Sequence, residues 1–144
     1  MIVFTHIPKT AGTTLKMILR NNYGTGHIDS AKVKRPVYTA RDLLFARKIF
    51  RNPQAISGHN LVNPARHIGG PDMQLVVFLR DPVERCASHF QDDVLRGGFG
   101  GTLNEWLSDP WHQNLTVRII SGSLDLELAR QLLKEKYLFV GITE

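Results

Sequence analysis

The sequence contains a single cysteine, Cys86, so no intrachain disulfide can brace the fold and a disulfide-dense secreted scaffold is excluded. It contains no apolar run close to the ~20 residues that a membrane-spanning helix requires. The apolar opening Ile2-Val3-Phe4 is too short for the core of a secretory leader and follows no basic segment. There is no internal repeat and no low-complexity tract. His6, His67, His89 and His112 share no metal-ligand spacing and one cysteine adds none, so no metal is expected. These absences point to a cytoplasmic chain without a membrane partner, held by an ordinary hydrophobic core.

What is present bounds the fold. A chain of 144 residues buries one sizeable core, which argues for a single domain over residues 1–144. Ile2-Val3-Phe4 and Met73 to Leu79 read as buried strands, the latter as the central one, Ala55-Ile56-Ser57-Gly58-His59-Asn60 as a strand whose C-terminal end opens into a loop, and Tyr137 to Ile142 as a fourth. Because that core strand lies two residues before Glu144, a domain incomplete at its C-terminus is expected. Between the strands lie helical patterns: Thr13 to Asn22 with Leu15, Ile18 and Leu19 inward, a helix capped at Thr39 with Asp42 behind it, and one opened by Asp81-Pro82-Val83-Glu84. The last of these is expected to bury Val83, Cys86, Ala87, Phe90 and Val94 and to end at Gly97 to Gly101. A short helix from Leu103 to Leu107 and one marked by Leu124, Leu128, Leu132 and Leu133 follow. The period of Leu115 to Ile120 does not decide helix from strand. Residues 27–38 read as an exposed basic loop with room for a short strand at its end, and 60–72 as connection. Strands alternating with helices imply an α/β fold with a mostly parallel sheet, in which ligands gather at the carboxyl ends of the strands.

The formal net charge of +5 favours anionic partners, although such an excess is also common on unspecialised soluble proteins. The positive charges are scattered and few aromatics interleave with them, so a nucleic-acid binder is not expected. Three polar clusters fall at or just past expected strand ends. The first, Thr5-His6-Ile7-Pro8-Lys9-Thr10-Ala11-Gly12-Thr13-Thr14, joins a strand to a helix and combines a cation, a glycine and hydroxyls, as an anion-holding loop does. It is not the triphosphate-binding pattern G-x-x-x-x-G-K-[ST], because Lys9 precedes Gly12 and the first glycine is missing. Kinase or ATPase chemistry would also need an acidic magnesium ligand, and Asp81, the sole candidate, is explained as a helix cap. The second cluster is Gly58-His59 and the third runs from Arg80 to Ser88.

Together these blocks resemble the sulfotransferases that use 3′-phosphoadenosine 5′-phosphosulfate (PAPS), in particular the bacterial and heparan-sulfate 2-O-type branch. The resemblance rests on His6 to Thr14, Ser57-Gly58-His59, Phe78-Leu79-Arg80-Asp81-Pro82-Val83-Glu84-Arg85 with Ser88, and Phe139-Val140-Gly141-Ile142-Thr143-Glu144, which span nearly the whole chain. It implies a P-loop-NTPase-like three-layer sandwich around a mostly parallel sheet. It further implies that Lys9, Thr10, Ala11, Gly12, Thr13 and Thr14 cradle the 5′-phosphosulfate, Lys9 contacting the bridging and sulfuryl oxygens, while Arg80 and Ser88 clamp the 3′-phosphate. His59 resembles the histidine that serves as base in related enzymes, and imidazole titrates in the useful range. The implied activity is transfer of a sulfuryl group from PAPS to an acceptor hydroxyl by in-line displacement, the acceptor being a small molecule or a carbohydrate, with PAP as product and no metal. Gln113 to Arg118 resembles a further segment of the family with Val117 inserted, which offers Arg118 as a substrate or nucleotide contact. The alternative is a non-catalytic module that binds an adenine nucleotide, PAP or PAPS. Acceptor choice would lie with residues 24–38, 60–72 and 97–113, and Lys32, Lys34, Arg35 and Arg66 could either guide an anionic acceptor or form a solvated face.

Overall fold

Five short runs form one sheet: Ile2–Thr5 (β1), His27–Asp29 (β2), Ala55–Gly58 (β3), Gln74–Arg80 (β4) and Tyr137–Thr143 (β5). In this computed structural model, which describes residues 1–50 and 52–144, they pair in the order β2-β3-β1-β4-β5, and every pairing is parallel. The helices are Gly12–Tyr23 (α1), Ala40–Ile49 (α2), Pro64–His67 (α3), Pro82–Leu95 (α4), Leu103–Ser108 (α5), Leu115–Ser121 (α6) and Leu126–Glu135 (α7). The α/β class with a parallel sheet, expected from the alternation of elements, is what forms. Among the described residues no helix is long and apolar enough to cross a membrane.

Alternation along each strand sends side chains to two faces and so builds two cores. Val3, Ile28, Ile56, Leu75 and Val77 point to one face and are covered by Leu43 and Ala46 of α2, Leu115, Ile119 and Ile120 of α6, and Ala129 of α7. Phe4 and Ala55 point to the other, where Leu19 of α1 closes over them with Leu15, Tyr23, Val76 and Phe78 at the margin. The sheet is therefore sandwiched between helical layers.

Local chemistry explains where the helices begin and end. Thr39 and Asp42 form a capping box at α2, since the Asp42 carboxylate accepts from the Thr39 backbone N–H at 2.9 Å. Asp81 accepts from the N–H groups of Val83 (2.9 Å) and Glu84 (3.0 Å) and so starts α4, as expected. At the other end Gly97 takes φ 70°, letting its N–H reach Val94 and the next one reach Asp93, a glycine stop that a side chain would strain.

Several expectations are corrected. The central strand is β1; the Met73 to Leu79 segment, as β4, lies beside it. Residues 27–38 are not simply an exposed loop: His27–Asp29 adds an edge strand to β3, with Ile28 buried in the core. The 60–72 connection carries α3, and its Leu61 and Ile68 are buried. Leu115 to Ile120 is helical. Ile18 and Leu124 stand exposed rather than inward. In α4 Val83 and Val94 are exposed, as is Ala87, while Arg85 is buried, so the helix is rolled away from its apolar stripe. Tyr137 to Ile142 forms the strand expected, but as an edge: Leu138, Phe139, Val140 and Ile142 are exposed.

Candidate functional site

Because β1, β3 and β4 are neighbours, the segments that follow them meet at one edge of the sheet. Those segments carry Lys9 to Thr14, His59, and Arg80 to Ser88. The three polar clusters of the sequence are thus collected at the carboxyl ends of adjacent parallel strands, where open α/β sheets bind ligands.

The loop after β1 is held from inside. Thr10 is buried and its hydroxyl donates to the Ile7 carbonyl at 2.9 Å, so that hydroxyl is committed to bracing the loop. Lys9 (φ 68°) and Ala11 (φ 56°) adopt left-handed backbone, the alternation that turns successive N–H groups toward a common concavity. Among the described residues the N–H groups of Ala11, Gly12 and Thr13 have no protein acceptor. They lie at the positive end of α1, with the Thr13 and Thr14 side chains exposed beside them.

Beneath the loop lies the imidazole of His6, 6% exposed and stacked on Phe4 with ring centroids 5.6 Å apart. Gly12 sits directly against it: a Cβ there would come within 1.9 Å of His6 Cδ2. Gly12→Ala is therefore expected to lower stability by about 1–3 kcal/mol in urea unfolding, through overpacking against a buried ring. Adding His6→Ala should return part of that loss, because the two changes act on one contact.

His59 is fixed by the same loop. Its Nδ1 lies 2.7 Å from the His6 carbonyl oxygen, and since a carbonyl only accepts, Nδ1 must carry the proton. Neutral His59 then keeps its Nε2 lone pair free. The residue stands exposed at the rim, yet protein crowds its ring on the His6 side, with the two imidazole centroids 4.0 Å apart. That desolvation draws the His59 pKa below 6.5; the bond to His6 opposes the shift and the nearby Lys16 charge adds to it. His59 opens onto a cleft of about 500 Å³ that also touches Pro8, Arg35, His89, Trp111 and Arg118. Arg118, offered by the sequence as a contact, is in this cleft, donating to the Pro110 carbonyl at 2.7 Å and lying 5.6 Å from the Trp111 ring centre.

One stripe of α4 organises the cations. Glu84, Ser88 and Asp92 recur every four residues, and the carboxylates at its two ends each hold one expected phosphate ligand. Arg80 Nη2 is 3.1 Å from Glu84 Oε2, and Lys9 Nζ is 3.4 Å from Asp92 Oδ1. Ser88 lies between them. Arg80 and Ser88 are brought to one side of α4; among the described residues no hydrogen bond joins them and the buried Arg80 Nε has no partner. Asp92 and His89 were missed by the sequence reading, although the four-residue spacing from Ser88 to Asp92 is visible in it. In the sequence Arg35 is one of several scattered cations that either guide an anionic acceptor or form a solvated face, and Trp111, in an irregular connection, gives no signal.

A scan against models of known protein families and a search of curated proteins both return no match for this chain.

Proposed function

We propose that the protein is a PAPS-dependent sulfotransferase acting on an acceptor hydroxyl. The observation that carries this reading is the convergence of the Lys9 to Thr14 loop, His59, and the Arg80–Ser88 pair at the ends of three adjacent parallel strands. The residues present fit the co-substrate: unpaired N–H groups at Ala11, Gly12 and Thr13 suit an anionic group, and the orphaned Arg80 Nε suits a second one on the same molecule. PAPS supplies an activated sulfuryl group. The chain's part is to position and to neutralise charge, which dominates catalysis in phosphoryl-type transfers. Lys9 neutralises the negative charge developing on the leaving phosphate, the loop N–H groups orient the phosphosulfate, and Arg80 with Ser88 holds the 3′-phosphate. The free Nε2 of His59 takes the proton of an acceptor hydroxyl lying in the cleft. In the wall of that cleft Arg118, with Arg35 held by Asp42 at 3.0 Å beside it, favours an acceptor carrying negative charge, such as an acidic sugar.

Radiolabelled sulfuryl transfer from PAPS, screened over sugar and phenol acceptors, tests the reading. Labelled product that disappears with Lys9→Ala supports it; no transfer to any acceptor, with the nucleotide still bound, leaves the chain a nucleotide-binding module instead.

The α4 carboxylates make a further prediction. Glu84 and Asp92 compete with phosphates for Arg80 and Lys9, and such partly exposed, solvent-screened pairs are weak. Glu84→Gln and Asp92→Asn are each expected to tighten PAP binding by roughly two- to fivefold, read by calorimetry at low salt, with the gain shrinking as salt is raised.

A further inference from the structure

On the side of α4 away from the Glu84–Ser88–Asp92 stripe lies a separate pocket. It has a volume of about 570 Å³ and is bounded by the start of α4, by α5 and by the start of α6. Its wall is mostly apolar, from Val83, Leu103, Leu107, Leu115 and Val117, and Val83 and Leu103 are 75% and 41% exposed around it. Among the described residues no Asp or Glu lines it. Arg85 does, and Arg85 is 4% exposed.

A buried guanidinium ordinarily has a carboxylate or several carbonyls around it, because burying an uncompensated charge is costly. Among the described residues the Arg85 side chain has no hydrogen bond and no ion pair, and its Nη1 is buried without an acceptor. Burial pulls its pKa below the usual guanidinium value, and the adjacent Cys86, not a carboxylate, opposes this. The proposed nucleotide site does not use this arginine. A cation kept at such cost in an apolar cavity is explained if the missing acceptor comes from a ligand.

We infer that this pocket is a second ligand site, taking an organic carboxylate whose apolar body packs on the Leu103–Leu107 wall while its planar head pairs with Arg85. The planar fork of arginine matches a carboxylate bidentately, and a single cation balances a single negative charge better than it does a phosphate. The volume lies within the range of small-molecule sites. The inference is independent of the sulfotransferase reading, and its test does not involve sulfuryl transfer.

The probe is 2-naphthoate, compared with neutral 2-naphthylmethanol, in calorimetric titration and thermal unfolding of the whole chain. One-to-one binding of the naphthoate is expected, at least about tenfold tighter than the alcohol, with a rise in Tm that the alcohol does not match. Arg85→Met should erase the preference for the anion while leaving the ligand-free Tm equal or higher, since it removes a buried unpaired charge. Leu107→Trp, which fills the pocket and keeps Arg85, should abolish binding of both probes, and Lys9→Ala should leave it unchanged. Equal affinity for the two probes, absence of binding at millimolar naphthoate, or binding that survives Leu107→Trp or vanishes with Lys9→Ala would each overturn the assignment.

Discussion

Acidification from pH 7 to pH 4 is expected to remove about 3 kcal/mol of folding stability through His6 alone. The His6 ring is enclosed by Phe4, Gly12 and His59, and burial, assisted by the neighbouring His59 and Lys16 charges, lowers its pKa from 6.5 to about 3, with Asp29 opposing. Between those two values the unfolded chain binds a proton at residue 6 and the folded chain does not. The contribution is therefore fully present above pH 6.5 and is lost as pH falls toward 3. The loop that His6 supports is the proposed phosphosulfate cradle, so the loss should extend to it. Urea unfolding measured at half-unit pH intervals checks this. The wild-type stability should fall steeply below pH 6.5, and a His6→Gln protein should lack that part of the slope; parallel slopes would show that His6 is not the group responsible.

Replacing His59 with alanine is expected to lower sulfuryl transfer by about a hundredfold to ten-thousandfold while leaving nucleotide affinity within a factor of two or so. The split follows from geometry. His59 Nδ1 is committed to the His6 carbonyl, its Nε2 is free at the cleft, and the residue is not part of the loop or of the Arg80–Ser88 pair that would hold the nucleotide. The pH profile provides the second readout. Because the His59 pKa is lowered, the ascending limb of the rate should have its midpoint below 6.5 and be level at pH 7 and above, and this limb should vanish in His59→Ala. Unchanged turnover in His59→Ala would remove the histidine from the proposed mechanism, and an equal fall in affinity and turnover would make it a binding residue.

The sheet was legible because its strands are short apolar runs separated by helical periods, and a parallel arrangement follows from that alternation alone. The strand ends were legible for the same reason, which is why Lys9, His59 and Arg80 could be placed on one edge without coordinates. The roll of α4 was not. Its apolar residues at 83, 87 and 94 suggested a buried stripe, but Asp81 fixes the helix start and the tertiary packing puts Arg85 inward. Nor could the short β2 be read, because three residues carrying His27 and Asp29 have no strand pattern; only pairing with β3 makes them one. The tautomer of His59 depends on a carbonyl 53 residues away in sequence, a contact that no local pattern encodes. The partnership of Lys9 with Asp92 is equally long-range, although Asp92 itself falls on the stripe that Ser88 defines.

The proposed function puts Lys9 and Arg80 in one nucleotide site. Calorimetric titration with adenosine 3′,5′-bisphosphate at pH 7.5, on the wild type and on Lys9→Ala and Arg80→Ala, tests it most directly. The prediction is one-to-one binding in the micromolar range, weakened by about tenfold to a hundredfold in each variant, as expected for the loss of a charge-assisted phosphate contact. Absence of binding, or an affinity that neither substitution changes, would show that the two cations do not share a nucleotide site.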